Sequence, residues 1–311
     1  LAKGGFYIAK HEGDTLHLTQ MVLRMAAGEW PHLDFQTPIG GLAIAPIALM
    51  VKLGWGIGHA LLMSQVLVAL VLLPAVWWVT VSRFTTGWGA LFGGFLLVMI
   101  LALVHGETEF SVSFSMHYNR WAWALAYLAI ALAVLPARGP KSPVADGLVI
   151  GLALAVLVVT KITYAAAFLP PVLVALIAAR AWRVIAVAAL AGLAVMIGVT
   201  LAAGTAMVWP AYLYDLAEVA GSEVRSRPGL AWSAILSAPA YLGANLVVLA
   251  GVILLRQAGR MREGLVLLLL LPGFAYVTYQ NFGNDPQWLL LAGLMLIMLE
   301  PGREIRNALG W

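Results

Sequence analysis

The sequence contains no cysteine in 311 residues, which excludes disulfides and thiolate metal sites. Charge is scarce as well. Asp, Glu, Lys and Arg make up 10% of the chain, against about 25% in a soluble globular domain. A chain this poor in charge cannot cover its surface with polar groups in water, and in lipid it need not. A zinc signature, a phosphate-binding glycine loop and a serine-nucleophile motif are missing too. Residues 1–14 are mixed and polar and carry no signal-peptide pattern. There is no internal repeat. The net charge of +4 is no nucleic-acid signal, because the basic residues sit in short clusters between apolar runs. There they act as topology determinants, and no nucleic-acid partner is expected.

What the chain has is apolar sequence. Hydrophobic residues reach 62% and the mean hydropathy is +0.93. Apolar runs cover 57–80, 88–105, 121–136, 147–160, 163–179, 184–203, 239–255, 264–279 and 287–299. Read as spans of roughly 20 residues, they predict an all-α, polytopic transmembrane bundle of about nine spans embedded in a lipid bilayer. The whole of 1–311 then reads as one transmembrane domain, with 1–56 an outer-face loop bearing interfacial helices and 57–311 the bundle.

Orientation follows from five basic clusters: Arg83; Arg138 and Lys141; Arg180 and Arg183; Arg256, Arg260 and Arg262; Arg303 and Arg306. If the runs alternate, all five lie on one side, which the positive-inside rule makes cytoplasmic. Segments 1–37, 106–120, 204–238 and 280–286 fall outside and hold most of the acidic residues. Compactness and the lack of eukaryotic sorting signals suggest a bacterial inner membrane. Residues 38–54 are apolar, yet counting them as a span inverts every later loop, so they read as a re-entrant or interfacial helix. Residues 15–27 place Leu18, Met21, Val22 and Met25 at amphipathic spacing. That helix is expected in the plane of the membrane surface, capped by Asp14 and ended by Gly28.

The first chemical constellation is His11-Glu12-Gly13-Asp14, followed by Gly28-Glu29-Trp30-Pro31-His32-Leu33-Asp34-Phe35-Gln36-Thr37-Pro38. Carboxylates at a membrane surface can deprotonate an acceptor hydroxyl or hold a divalent cation. Alternatively Asp14 caps a helix and Asp34 closes a turn.

The acidic pair, the helix after it and the Gly-x-x-Pro-x-x-Asp-Phe-x-x-Pro stretch resemble the first outer loop of the GT-C superfamily of integral-membrane glycosyltransferases, which includes protein O-mannosyltransferases and lipid A aminoarabinose transferases. The resemblance covers about residues 11–56 and is topological beyond. It implies that the catalytic acid is Asp14, with Glu12 beside it and Asp34 further on. It also implies sugar transfer from a polyprenyl-phosphate-linked donor on the outer face.

The second constellation leads from His105, Glu107 and Glu109 to His117-Tyr118-Asn119-Arg120-Trp121. Arg120, with His117 near it, could clamp a donor phosphate, because a guanidinium matches phosphate oxygens bidentately. It could equally snorkel to headgroups beside Trp121. Lys161 breaks an apolar stretch at a turn, and charge at such a depth has a partner. The resemblance implies contact with the donor phosphate, while pairing with Glu107 or Glu109 is the plainer alternative. In 204–238, Arg225 and Arg227 could flank a phosphate or lie on a solvated helix. The turn Tyr279–Trp288 has amides and aromatics suited to a sugar. His11, His17 and His32 have no diagnostic metal spacing.

Three functions compete. In a glycosyltransferase, Arg120 and Lys161 neutralise the phosphate leaving group and Asp14 deprotonates the acceptor. A catalytically silent subunit of a larger membrane complex would explain why the acidic pair is Glu-x-Asp where family members show adjacent acids. A transporter would need broken helices at the midplane, and the acidic residues sit at the surface instead.

Overall fold

The computed structural model describes residues 7–8, 11–102, 111–114, 116–222, 229, 231–281 and 288–300. Among the described residues the regular structure is helical, apart from an isolated bridge between Pro31 and Phe35 and the short strands β1 (Tyr7–Ile8) and β2 (Ser111–Val112), which pair in parallel. The first helices are α1 (Glu12–Ala26), α2 (Ala45–Lys52), α3 (Ile57–Arg83), α4 (Thr86–Leu101), α5 (His117–Val134), α6 (Pro143–Val158) and α7 (Ile162–Ala178). The rest are α8 (Trp182–Ala203), α9 (Val208–Gly221), α10 (Trp232–Ser237), α11 (Pro239–Gln257), α12 (Met261–Gln280) and α13 (Trp288–Leu299).

Among the described residues each of the nine apolar runs falls largely on a helix, but they are not nine spans. Among the described residues four helices are long and apolar enough to cross a membrane: α3, α8, α11 and α12. The expectation of about nine is corrected to four, for two physical reasons. Helices α4, α6, α7 and α13 have 16, 16, 17 and 12 residues. At 1.5 Å per residue they reach only about 18–26 Å, short of a hydrocarbon core of about 30 Å. Helix α5 opens on the polar run His117-Tyr118-Asn119-Arg120 and is buried along nearly its whole length, packed by α3, α4, α6, α7 and α13. Its apolar residues serve a protein core, not a lipid face. Hydropathy in a single sequence does not separate those two uses. Beyond residue 56 the GT-C resemblance is one of topology alone, and four helices in place of about nine do not carry it.

Helix α8 shows the other use. It buries only Val184 and Ala191, while Leu190, Leu193, Ile197 and Leu201 are exposed. It lies against α6, and Gly147 and Gly151 make that possible. A Cβ on Gly151 would stand 2.2 Å from the Ala188 carbonyl oxygen, so only glycine permits this approach. The start of α6 is also written in sequence: Ser142 accepts from the Ala145 N–H at 3.2 Å, Pro143 takes the first helical position, and Asp146 lies in the first turn.

The N-terminal segment has a core of its own. Leu18, Met21 and Val22 of α1 are buried with Ile44, Ile47 and Ala60. The amphipathic face expected on the membrane surface is thus covered by protein. Helix α1 starts earlier than expected, with His11 at its N-cap. Asp14 is therefore no cap and falls in the first turn, where a carboxylate meets the positive end of the helix dipole. Gly28 ends the segment at φ +105°, the left-handed conformation glycine tolerates. Helix α2, in the ambiguous 38–54 stretch, has eight residues and is too short to span.

The bundle has two chemically distinct ends. At one, Arg83 pairs with Asp146 at 2.5 Å, Arg138 with Glu300 at 3.0 Å, and Arg260 and Arg262 with Glu263 at 3.6 and 3.5 Å. The other gathers the starts of α5 and α7, the end of α12, and residues 11–40.

Candidate functional site

Backbone tethers build the second end. Gly40 and Leu42 donate to the carbonyls of Thr160 and Val159 at 3.0 and 2.9 Å. A Cβ on Gly40 would lie 2.1 Å from the Val159 oxygen, so glycine is required for the loop to dock on the α6–α7 turn. That docking carries Lys161, next in the turn, to the N-terminal helix.

A cleft of about 560 Å³ results. Asp14, His17 and Met21 line it from α1, His117 and Tyr118 from α5, Lys161 from the turn, and Gln280 from the end of α12. The Lys161 ammonium donates to Asn119 Oδ1 at 2.9 Å and Asn281 Oδ1 at 2.5 Å. It also lies 5.5 Å from the Tyr118 ring centroid. These two amide oxygens fix the position of the ammonium at the cleft wall. Asn281 is fixed in turn by donating to the Tyr164 hydroxyl at 2.9 Å. His117 Nε2–H donates to the Ala43 carbonyl at 3.0 Å. Burial, aided by the Arg120 charge, depresses its pKa to about 4, so it is a neutral side chain at pH 7.

Of the residues read from sequence as catalytic or phosphate-binding, the cleft brings together three: Asp14, Lys161 and His117. The others go elsewhere. Glu12 is exposed in the first turn of α1 and does not line the cleft. Asp34 closes a turn, its Oδ2 accepting from the Trp30 N–H at 2.6 Å. Arg120 is buried and donates to the Ala102 carbonyl at the end of α4, so a headgroup-level snorkel is corrected to an internal tie. Arg225, Arg227, His105, Glu107, Glu109 and Asp285 lie outside the described residues.

Compared with protein-family models, curated proteins and solved structures, the chain matches none.

Among the described residues no three His, Asp or Glu side chains converge to hold a metal ion, so the divalent-cation reading of the carboxylates gains no ligand set there. Sequence reasoning missed a second polar arrangement. His32 Nδ1 meets Asp215 Oδ2 at 2.8 Å, with both side chains buried, and the Thr37 N–H donates to the same oxygen at 3.0 Å. Asp215 sits on α9, inside the segment read as a surface loop or solvated helix. Its burial left no sequence signal beyond an acid at helical spacing from Tyr212, which is also buried. Burial lowers the pKa of His32 despite the hydrogen bond and charge of Asp215.

Proposed function

We propose that the cleft binds the phosphate of a polyprenyl-phosphate-linked sugar and transfers the sugar to an acceptor hydroxyl. The observation that carries this reading is the pairing of Asp14 with Lys161 in one cleft. Displacing a phosphate needs a cation at the leaving group, and a hydroxyl needs a base. Lys161, held in place by two amides, supplies the first, and Asp14 the second. Gln280 and Tyr118 add amide and aromatic surface of the kind that suits a sugar. The resemblance of residues 11–56 to the first outer loop of integral-membrane glycosyltransferases supports the same assignment.

The cleft faces the outer side in this proposal. Helices α3 and α11 run toward the end bearing Arg83 and Arg256, and α8 and α12 start there. The positive-inside rule makes that end cytoplasmic, and a bacterial inner membrane fits. Arg120 and Asp34 are engaged in structural bonds, an observation that favours a second reading, a silent subunit of a membrane complex.

The test is transfer from a panel of radiolabelled polyprenyl-phosphate sugars by purified protein in lipid. Turnover that falls at least a hundredfold in Asp14→Asn and in Lys161→Met, with folding intact, is the expected outcome. No turnover with any donor from folded protein moves the assignment to the silent subunit.

A further inference from the structure

A second cavity of about 410 Å³ lies between the first loop and α8–α9, and it differs in kind from the cleft. Its walls include Trp30, Leu42, Val195, Gly198, Val199 and Tyr212, and no Lys, Arg, Asp or Glu lines it. His32 is the polar exception. Its Nδ1 is taken by Asp215. A carboxylate accepts, so Nδ1 carries the proton and Nε2 presents a lone pair. Nε2 is buried and has no hydrogen-bond partner, a situation that is costly unless something completes it. His32 also holds φ +72°, a left-handed conformation rare outside glycine and one that clusters at binding sites. Its N–H is pinned to the Phe35 carbonyl at 2.8 Å.

The chemistry of the ligand follows from these walls. It must donate one hydrogen bond, because Nε2 only accepts. It must be uncharged, because no Lys, Arg, Asp or Glu lines the cavity to compensate a charge of either sign. The rest of it must be hydrocarbon. Its source follows from α8, which lines the cavity with Val195, Gly198 and Val199 and is a membrane-length apolar helix largely exposed on its outer side. A bilayer lipid reaches the cavity along that helix. We infer that this cavity binds one uncharged lipid alcohol from the bilayer, its hydroxyl donating to His32 Nε2 and its chain lying against α8. His32 is among the residues that line the cavity, and its Nε2 is the acceptor left without a partner. The site is separate from the Asp14–Lys161 cleft and does not depend on sugar transfer.

The experiment measures binding of tritiated hexadecanol, hexadecane and palmitate to the purified full chain in detergent. Saturable binding of one hexadecanol, with hexadecane and palmitate at least about tenfold weaker, is expected for one buried hydrogen bond in an uncharged site. His32→Phe brings the alcohol down to the alkane's affinity and leaves the alkane unchanged. Gly198→Phe abolishes both, since a Cβ there meets nothing within 4 Å and the ring occupies the cavity. Equal affinity for alcohol and alkane, preference for palmitate, or an unaffected His32→Phe protein overturns the inference. Where a variant fails to fold, ¹⁵N NMR of the wild-type histidines decides: hexadecanol shifts the His32 Nε2 signal, and an unmoved signal overturns the inference equally.

Discussion

The two ends of the bundle hold their charged side chains in different settings. At the basic end a carboxylate meets the arginines: Asp146 takes both the Arg83 guanidinium at 2.5 Å and the Trp78 indole N–H at 2.8 Å. At the other end Lys161 rests on two neutral amides, and the buried carboxylate of Asp215 rests on a histidine and a backbone N–H. Asp146 supplies the counter-charge of Arg83, although the Arg83 Nε and Nη1 atoms are buried with no hydrogen-bond partner. Lys161 also lines the cleft with Asp14, His17 and Gln280, and convergent polar groups in a cavity mark a ligand site. The first end reads as structure and the second as a site.

The most direct way to break the comparison is to strip the basic end of a carboxylate. Asp146→Asn leaves the Arg83 guanidinium, 5% exposed, without its counter-charge. Losing one member of a buried pair costs about 3–5 kcal/mol, read as a lowered midpoint of thermal unfolding in detergent. Lys161→Met should cost less, about 1–3 kcal/mol, because Asn119 and Asn281 lose a hydrogen-bond donor. Equal losses at both ends would mean that Lys161 is structural and would remove the distinction.

Acid should act on the second end as well. His117 is buried with its pKa depressed to about 4, and that of His32 is lowered too, burial being the first cause in both. An unfolded histidine titrates near 6.5. Above that pH neither state of either group is protonated, and the histidines leave stability flat. As pH falls below about 6.5 the unfolded chain takes up protons that the folded chain refuses, and stability drops until the folded groups titrate in turn. For His117 that window runs from about 6.5 down to about 4 and is worth on the order of 3 kcal/mol. His117→Gln should flatten the unfolding midpoint between pH 6.5 and 4. An unchanged slope would show that other groups dominate acid unfolding.

How much of this was legible in sequence differs between the same regions. Helix positions were: the capped start of α6 is spelled out by Ser142, Pro143 and Asp146, and Gly147 and Gly151 mark a close packing face. The role of an apolar run was not. Helix α5 and helix α8 have similar apolar content in their C-terminal turns, yet one is the centre of the core and the other is outermost. Periodicity fails when a helix is apolar all round. At the site, Asp14 and Lys161 stood out because charge is rare in this chain. The His32–Asp215 pair did not, because its members are 183 positions apart and a contact at that separation leaves no local pattern.

The smallest expected effect sharpens the comparison within the N-terminal segment itself. Asp14 and Asp34 are both acids of the first 40 residues, and sequence alone offers both as catalytic. Asp34 accepts from the Trp30 N–H at 2.6 Å, on the exposed side of a turn that also receives Arg24 on the Asp34 carbonyl at 2.9 Å. Asp34→Ala removes one backbone-to-side-chain bond, about 1 kcal/mol, and Arg24 keeps its bond to the carbonyl. Transfer activity should therefore stay within about twofold of wild type at temperatures where both proteins are folded, while Asp14→Asn loses it. A collapse of activity in Asp34→Ala with the unfolding midpoint unchanged would place the catalytic carboxylate on the turn instead of the helix. The cleft bounded by α1 would then be the wrong site.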